Sequence, residues 1–314
     1  MPRKPPWHGH CFYLPAQAFL MMRAVSMQFR VAALYVVAII FGEPTQLLAH
    51  CGGGQYCECS NAAAVERCFR AGPSFVIETA NFQVSSDESE VRAKSLARHA
   101  EALRRELATK WLGEELVAPW ASKCRIVLHS KRASYAAAVG RGGERTVGSS
   151  LVQSDRGQVI GRRIDLLGGN ENFLTAALPH ELTHVVLAER FANQPLPRWA
   201  DEGIAIFEDS TEKRARHREV VEESWRRGTI PHLSQLMGTD MYPPTDRWGE
   251  FYGQSGSLTQ FLVEKGSPAA LVTFLERAAV IGYDDALRDC YGIDSVAALD
   301  AQWRQQLMAV AGRP

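Results

Sequence analysis

His180-Glu181-Leu182-Thr183-His184 constrains this chain more than any other stretch of it. Residues four apart on an α-helix lie on one face, one turn above another, so both imidazoles reach a single ion from one rigid element. The flanks agree with a buried helix, since Phe173 to Leu178 and Val185 to Ala188 are apolar and free of glycine. Pro179 fits in a first turn, where its missing N–H is tolerated, so the helix proper starts close to His180. Glu181 then sits beside the ion without binding it. Zinc held by two or three protein ligands keeps a position open for water, lowers that water's pKa towards about 7, and needs a carboxylate nearby to take the proton. Five residues supply two ligands and that base.

The next question is the third ligand. A glycine and a histidine three and six positions beyond His184 would supply one, but those positions hold Leu187 and Arg190. The stretch from Ala192 to Arg198, with Pro195 and Pro197, reads as a helix-breaking loop. Trp199-Ala200-Asp201-Glu202-Gly203-Ile204-Ala205 follows it, with seventeen residues between His184 and Glu202.

Together the two strings resemble those of the gluzincin zinc metallopeptidases and the broader peptidase-MA-like families. A looser likeness covers roughly Cys124 to Phe274, through Pro197-Arg198-Trp199, Thr229 to Leu233 with Leu236, and Phe251-Tyr252-Gly253-Gln254-Ser255. The resemblance implies that His180, His184 and Glu202 hold Zn2+ and that Glu181 is the general base. It also implies that Tyr252 faces the active site, where a phenol stabilises an oxyanion, and that the substrate is a peptide or protein. The chain departs from the pattern in three places. The gap before Glu202 is one residue shorter than in the aminopeptidases. Ile206 stands where thermolysin-like enzymes place an acid. No Gly-x-Met-x-Asn string is present, which favours an endopeptidase. Two other readings stay open: an exported zinc-binding cell-envelope protein without turnover, and a zinc hydrolase of a non-peptide amide or ester. Asp201, Glu208 and Asp209 are the nearby acids for orienting the histidines, with no basis in sequence for choosing among them. His232, behind a proline in a connector, reads as structural.

Charge excludes one class of partner. Lysine plus arginine equals aspartate plus glutamate at 35 each, which gives no basic field for nucleic acid. Val31 to Phe41 is an uncharged apolar run of eleven residues behind Arg23 and Arg30. A spanning helix needs about twenty, so the run reads as the core of an export signal, with cleavage after Ala49. Residues 1–49 are therefore expected to be a leader and the remainder to be periplasmic, cell-envelope or extracellular. A peripheral membrane tether through a lipid on Cys51 is a weaker alternative, because His50 occupies the place of a small residue. Beyond the leader lie Cys51, Cys57, Cys59, Cys68, Cys124 and Cys290, an even number that favours disulfides in an oxidising compartment, the alternative being a structural metal on the first four, which fall within eighteen residues.

The remaining organisation is a cysteine-rich segment at 50–72, an α/β part at 73–192 ending in the His-Glu-Leu-Thr-His helix, and a mostly helical part at 193–314 carrying Glu202. Ser74 to Val84, Cys124 to His129, Thr146 to Gln153 and Gln158 to Leu167 read as strands, the last two joined by a turn at Ser154-Asp155-Arg156-Gly157. Leu96, Ala100, Leu103, Leu107 and Trp111 mark a helix capped by Asp87 with Glu90 and ended by Gly113. Helices are also expected from Arg214 to Arg227 and from Ser255 to Met308. The expected fold is α+β: a small twisted, mostly antiparallel sheet, then the zinc-site helices and a helical C-terminal part, the layout of a thermolysin-like or gluzincin catalytic unit. An open strand edge beside the zinc helix would suit an extended peptide.

Overall fold

The computed structural model describes residues 10–15, 65–113, 118–140, 142–169 and 173–311. The strands are β1 (His10–Pro15), β2 (Arg67–Ala71), β3 (Ser74–Glu78), β4 (Phe82–Ser86), β5 (Cys124–His129), β6 (Gly148–Asp155) and β7 (Gln158–Leu167). They form one sheet in the order β1-β6-β7-β5-β4-β3-β2. The fold is α+β, but the sheet is mixed and not mostly antiparallel. β2, β3 and β4 pair antiparallel, as do β6 and β7, whereas β4–β5, β5–β7 and β1–β6 are parallel. Connections explain the difference. Helix α1 (Glu90–Leu112) carries the chain back between β4 and β5, and helix α2 (Arg132–Val139) with β6 intervenes between β5 and β7, so these neighbours start from the same end.

Local signals hold where the chemistry is local. Arg156 and Gly157 turn β6 into β7 with φ of 48° and 77°, the left-handed pair that matches the twist of a two-residue hairpin. Helix α1 ends at Gly113 with φ 67°, as its sequence requires. Its start differs from expectation. Ser89 is the cap, accepting from the Arg92 N–H at 3.2 Å, while Asp87 turns to Ser130, whose N–H and hydroxyl it accepts at 3.1 and 2.7 Å. The stretch from Ser74 to Val84 also folds differently, as two strands. The break falls at Asn81, whose N–H and amide donate to the buried Glu101 carboxylate at 2.8 and 2.7 Å, while its Oδ1 accepts from the Trp120 N–H at 2.9 Å. A buried carboxylate twenty residues away in α1 decides that turn.

The later elements are helical: α3 (Ala177–Arg190), α4 (Arg198–Phe207), α5 (Thr211–Arg226), α6 (Leu233–Met237), α7 (Trp248–Lys265), α8 (Pro268–Ile281), α9 (Tyr283–Tyr291) and α10 (Val296–Ala311). Helix α3 is buried from Ala177 to Ala188 apart from Pro179 and lies against β6, β7 and α1. One apolar core runs from Ile77 and Phe82 in the sheet through Leu182 and Val186 of α3 to Leu258, Phe274 and Trp303. Helices α4 and α7 approach closely because Gly203 has no side chain; a Cβ there would lie 2.2 Å from Thr259 Oγ1 and 2.6 Å from the Ser255 carbonyl oxygen.

Cys68, Cys124 and Cys290 are not joined to one another by disulfides. Cys124 is enclosed in the core, where burial pushes its thiol up. Cys51, Cys57, Cys59 and the Val31 to Phe41 run lie outside the described residues. No helix among the described residues is long and apolar enough to cross a membrane. In the full chain the outer edge of β6, the strand nearest α3, pairs with β1, with His10 opposite Ser149 and Phe12 opposite Leu151; β1 falls within residues 1–49, so the edge is covered only while that stretch is present.

Candidate metal centre

Helix α3 begins three residues before His180, with Pro179 in its first turn and the Pro179 carbonyl accepting from Thr183 Oγ1 at 2.7 Å. Leu178, Leu182, Val185 and Val186 commit the helix to the core, which fixes its rotation and turns His180 and His184 towards α4. Their rings stand 5.1 Å apart between centroids and 77° apart in plane. Pro197, extended at ψ 142°, starts α4 after the proline-rich loop. Trp199 then anchors the helix, buried with its Nε1 donating to the Tyr283 hydroxyl at 3.2 Å. Glu202 lies one helical turn inside and is wholly buried.

One atom each from His180, His184 and Glu202 lie within 4.8 Å of one another, a group that can hold a metal ion. The donor set fits such an ion on its own chemistry. Nε2 of His180 and Oε2 of Glu202 are 3.6 Å apart, enclosed, and have no hydrogen-bond partner. Buried polar atoms without partners are rare, and a divalent cation satisfies them together. The other imidazole nitrogens each face a carboxylate, hydrogen-bonded in His184 and in charge contact only in His180. His184 Nδ1 meets Asp201 Oδ1 at 2.8 Å, and His180 Nδ1 lies 3.2 Å from Asp209 Oδ1. Carboxylates placed so fix which nitrogen carries the proton and leave Nε2 to bind. Of the three acids in reach, then, Asp201 hydrogen-bonds His184 and Asp209 stands beside His180. Glu208 does something else, accepting from Trp111 Nε1 at 2.7 Å and pairing with Lys110.

Electrostatics follow from burial and from this mutual pairing. Burial raises the Glu202 carboxyl, but His180, His184 and the Tyr242 hydroxyl hold it down at about 2. Burial likewise opposes the charge of Asp209, and Lys213 and His180 bring it to about 2. Lys213 Nζ stands 2.9 Å from Asp209 Oδ1. Glu181 moves the other way. Burial raises its carboxyl against the pull of both histidines and Ser150. A carboxyl kept in reach of neutrality suits a group that must accept and return a proton.

Glu181 is held by β6. Ser150 Oγ donates to its Oε2 at 2.7 Å, and Gly148 passes its Oε1 as bare backbone. Tyr252, on α7, is buried beside the cluster, its ring centroid 6.3 Å from that of His217 and 6.5 Å from that of Tyr242. The tyrosine whose hydroxyl donates to Glu202 Oε1 is Tyr242, ten residues earlier in the loop before α7. Sequence reading passed over it, and its one local signal is an aromatic residue ahead of Pro243-Pro244 in a connector. His232 Nδ1 pairs with Asp300 Oδ2 at 2.6 Å.

No protein-family profile matches this chain, and no curated protein matches it significantly in sequence. The class the site defines therefore rests on its own residues: a buried two-histidine, one-glutamate cluster with a carboxylate on the adjoining helical position.

Proposed function

We propose that this chain is a zinc metallopeptidase of the gluzincin type, with His180, His184 and Glu202 as the ligands and Glu181 as the general base. The observation that carries the reading is the convergence of those three ligand atoms within 4.8 Å, with Glu181 next in sequence to His180 and held separately by Ser150. A purely structural zinc site closes its fourth position with a cysteine or histidine and has no use for a base. The α+β layout, with the ligand helices following a sheet, is consistent with a thermolysin-like unit.

Bound Zn2+ would supply a polarised substrate carbonyl and an acidified water. The chain's own residues do the rest. Glu181 takes a proton from the attacking water as its oxygen bonds to the carbonyl carbon, then gives that proton to the amine nitrogen as the C–N bond breaks. Asp201 and Asp209 keep both imidazoles in the binding tautomer. Tyr252 is proposed to donate to the oxyanion. The substrate is proposed to be a peptide or protein, cut internally, and the site of action to lie outside the cytoplasm once residues 1–49 are removed.

Elemental analysis of the full chain after dialysis, with a peptide-library digest, tests the reading. Wild type should hold about one zinc at this site, Glu202→Ala should lose it, and Glu181→Gln should keep zinc and lose nearly all turnover. Undiminished cleavage by Glu181→Gln would remove Glu181 from the mechanism. A zinc-loaded wild type that cleaves esters or non-peptide amides but no peptide would overturn the peptidase assignment while keeping the site.

A further inference from the structure

Glu202 is an anionic side chain with no exposure to water, so each of its oxygens must be matched by a donor or a cation. The two oxygens are treated differently. Oε1 accepts the Tyr242 hydroxyl, and Oε2 faces His180 Nε2 at 3.6 Å with no hydrogen bond. The Tyr242 hydroxyl is the donor in that contact and the Glu202 carboxylate the acceptor.

Tyr242 is fixed for this task from several sides. Its ring meets Phe251 edge-on at 6.0 Å between centroids and lies 6.4 Å from Trp248 and 6.5 Å from Tyr252. The Arg198 guanidinium sits over its face at 5.0 Å, and the same guanidinium reaches Asp201 Oδ2 at 3.8 Å. Trp248 Nε1 ties down the connecting loop by donating to the Pro243 carbonyl at 2.9 Å. The side chain that grips Glu202 and the carboxylate that grips His184 thus share one cation.

We propose that Tyr242 is a positioning residue that reserves one oxygen of Glu202, limits this ligand to single-oxygen binding of the metal, and so keeps a coordination position for water. The proposal rests on the metal reading of the cluster but not on peptide cleavage. A carboxylate released from such a restraint can bind through both oxygens, which raises the coordination number and consumes the position that chemistry needs.

Tyr242→Phe in the full chain keeps the ring and deletes only the hydroxyl. Co2+ is the probe, because its visible absorption weakens as coordination number rises. Near-ultraviolet circular dichroism should match wild type, Co2+ affinity in chelator competition should fall about 10-fold to 100-fold, and the absorption band should lose intensity. Tyr252→Phe should leave affinity and band unchanged. X-ray absorption of the zinc-loaded wild type gives a second reading that needs no variant, and one bound carboxylate oxygen is expected. Unchanged affinity and band in Tyr242→Phe, or two-oxygen ligation in wild type, would overturn the role of Tyr242. Failure of the wild type to bind Co2+ or Zn2+ would instead overturn the metal reading beneath it.

Discussion

Ser150 and Glu181 face each other across the junction of β6 and α3, the serine hydroxyl donating to Oε2 at 2.7 Å. Gly148, two residues earlier on the same strand face, meets the other side of that carboxylate, and a Cβ there would lie 2.8 Å from Oε1. A strand therefore aims the base, one oxygen by a bond and the other by the lack of a side chain. Ser150→Ala should keep its metal and lose roughly tenfold in kcat/KM. Gly148→Ala should lose about a hundredfold or more, within the range that general-base catalysis contributes. Kinetics on any cleaved peptide, with metal content measured alongside, check both; wild-type rates in Gly148→Ala would mean that Glu181 is not the base.

Asp201→Asn and Asp209→Asn should each weaken zinc binding by about 10-fold to 100-fold, since an amide no longer holds the imidazole in one tautomer. Glu208→Gln, one residue from Asp209 but bonded to Trp111, should weaken it less. Competition with a chelator ranks the three, and equal losses would count against the assigned partners.

Gly203→Ala tests the contact between α4 and α7. An added methyl group meets the Ser255 carbonyl oxygen at 2.6 Å, and backbone cannot swing aside as a side chain can. Overpacking of this kind costs about 1–3 kcal/mol, and the displacement should carry Glu202 with it. Thermal unfolding and zinc content should fall together. A loss of stability with full zinc affinity would show that Glu202 is insulated from this contact.

Acid should unfold the metal-free protein through His217. Burial and the nearby Lys213 depress this imidazole from its ordinary 6.5 to about 4, so the unfolded chain binds a proton that the folded one refuses. The stability His217 contributes is whole above about pH 6.5 and is lost as pH falls towards about 4. The melting temperature of the apoprotein should drop over that window, and His217→Gln should flatten the drop. An identical slope in the variant would assign the acid sensitivity elsewhere.

What sequence revealed is what neighbours along the chain decide. The spacing of His180 and His184 sets their shared face whatever surrounds them, and Arg156-Gly157 and Gly113 fix their own backbone angles. Glu202 was legible only through its likeness to a known string, since a lone glutamate on a helix is common. Tyr242, Asp201 and Asp209 were not resolved, because each acts through a partner reached by folding and has no spacing of its own. Gly148 acts by having no side chain, which leaves nothing in a sequence to notice. The same cause explains the strand that broke at Asn81 and the expected mostly antiparallel sheet: a distant carboxylate set the turn, and crossover helices set the strand directions.

Glu208 gives the site a long reach. By holding Trp111 and Lys110 it ties the end of α4, and Asp209 beside it, to the last turn of α1, a helix that packs against α3. A lesion in the packing around Trp111, 97 residues before its partner, would therefore first show itself as a protein that folds yet sheds its ion, and would be mistaken for damage to a ligand.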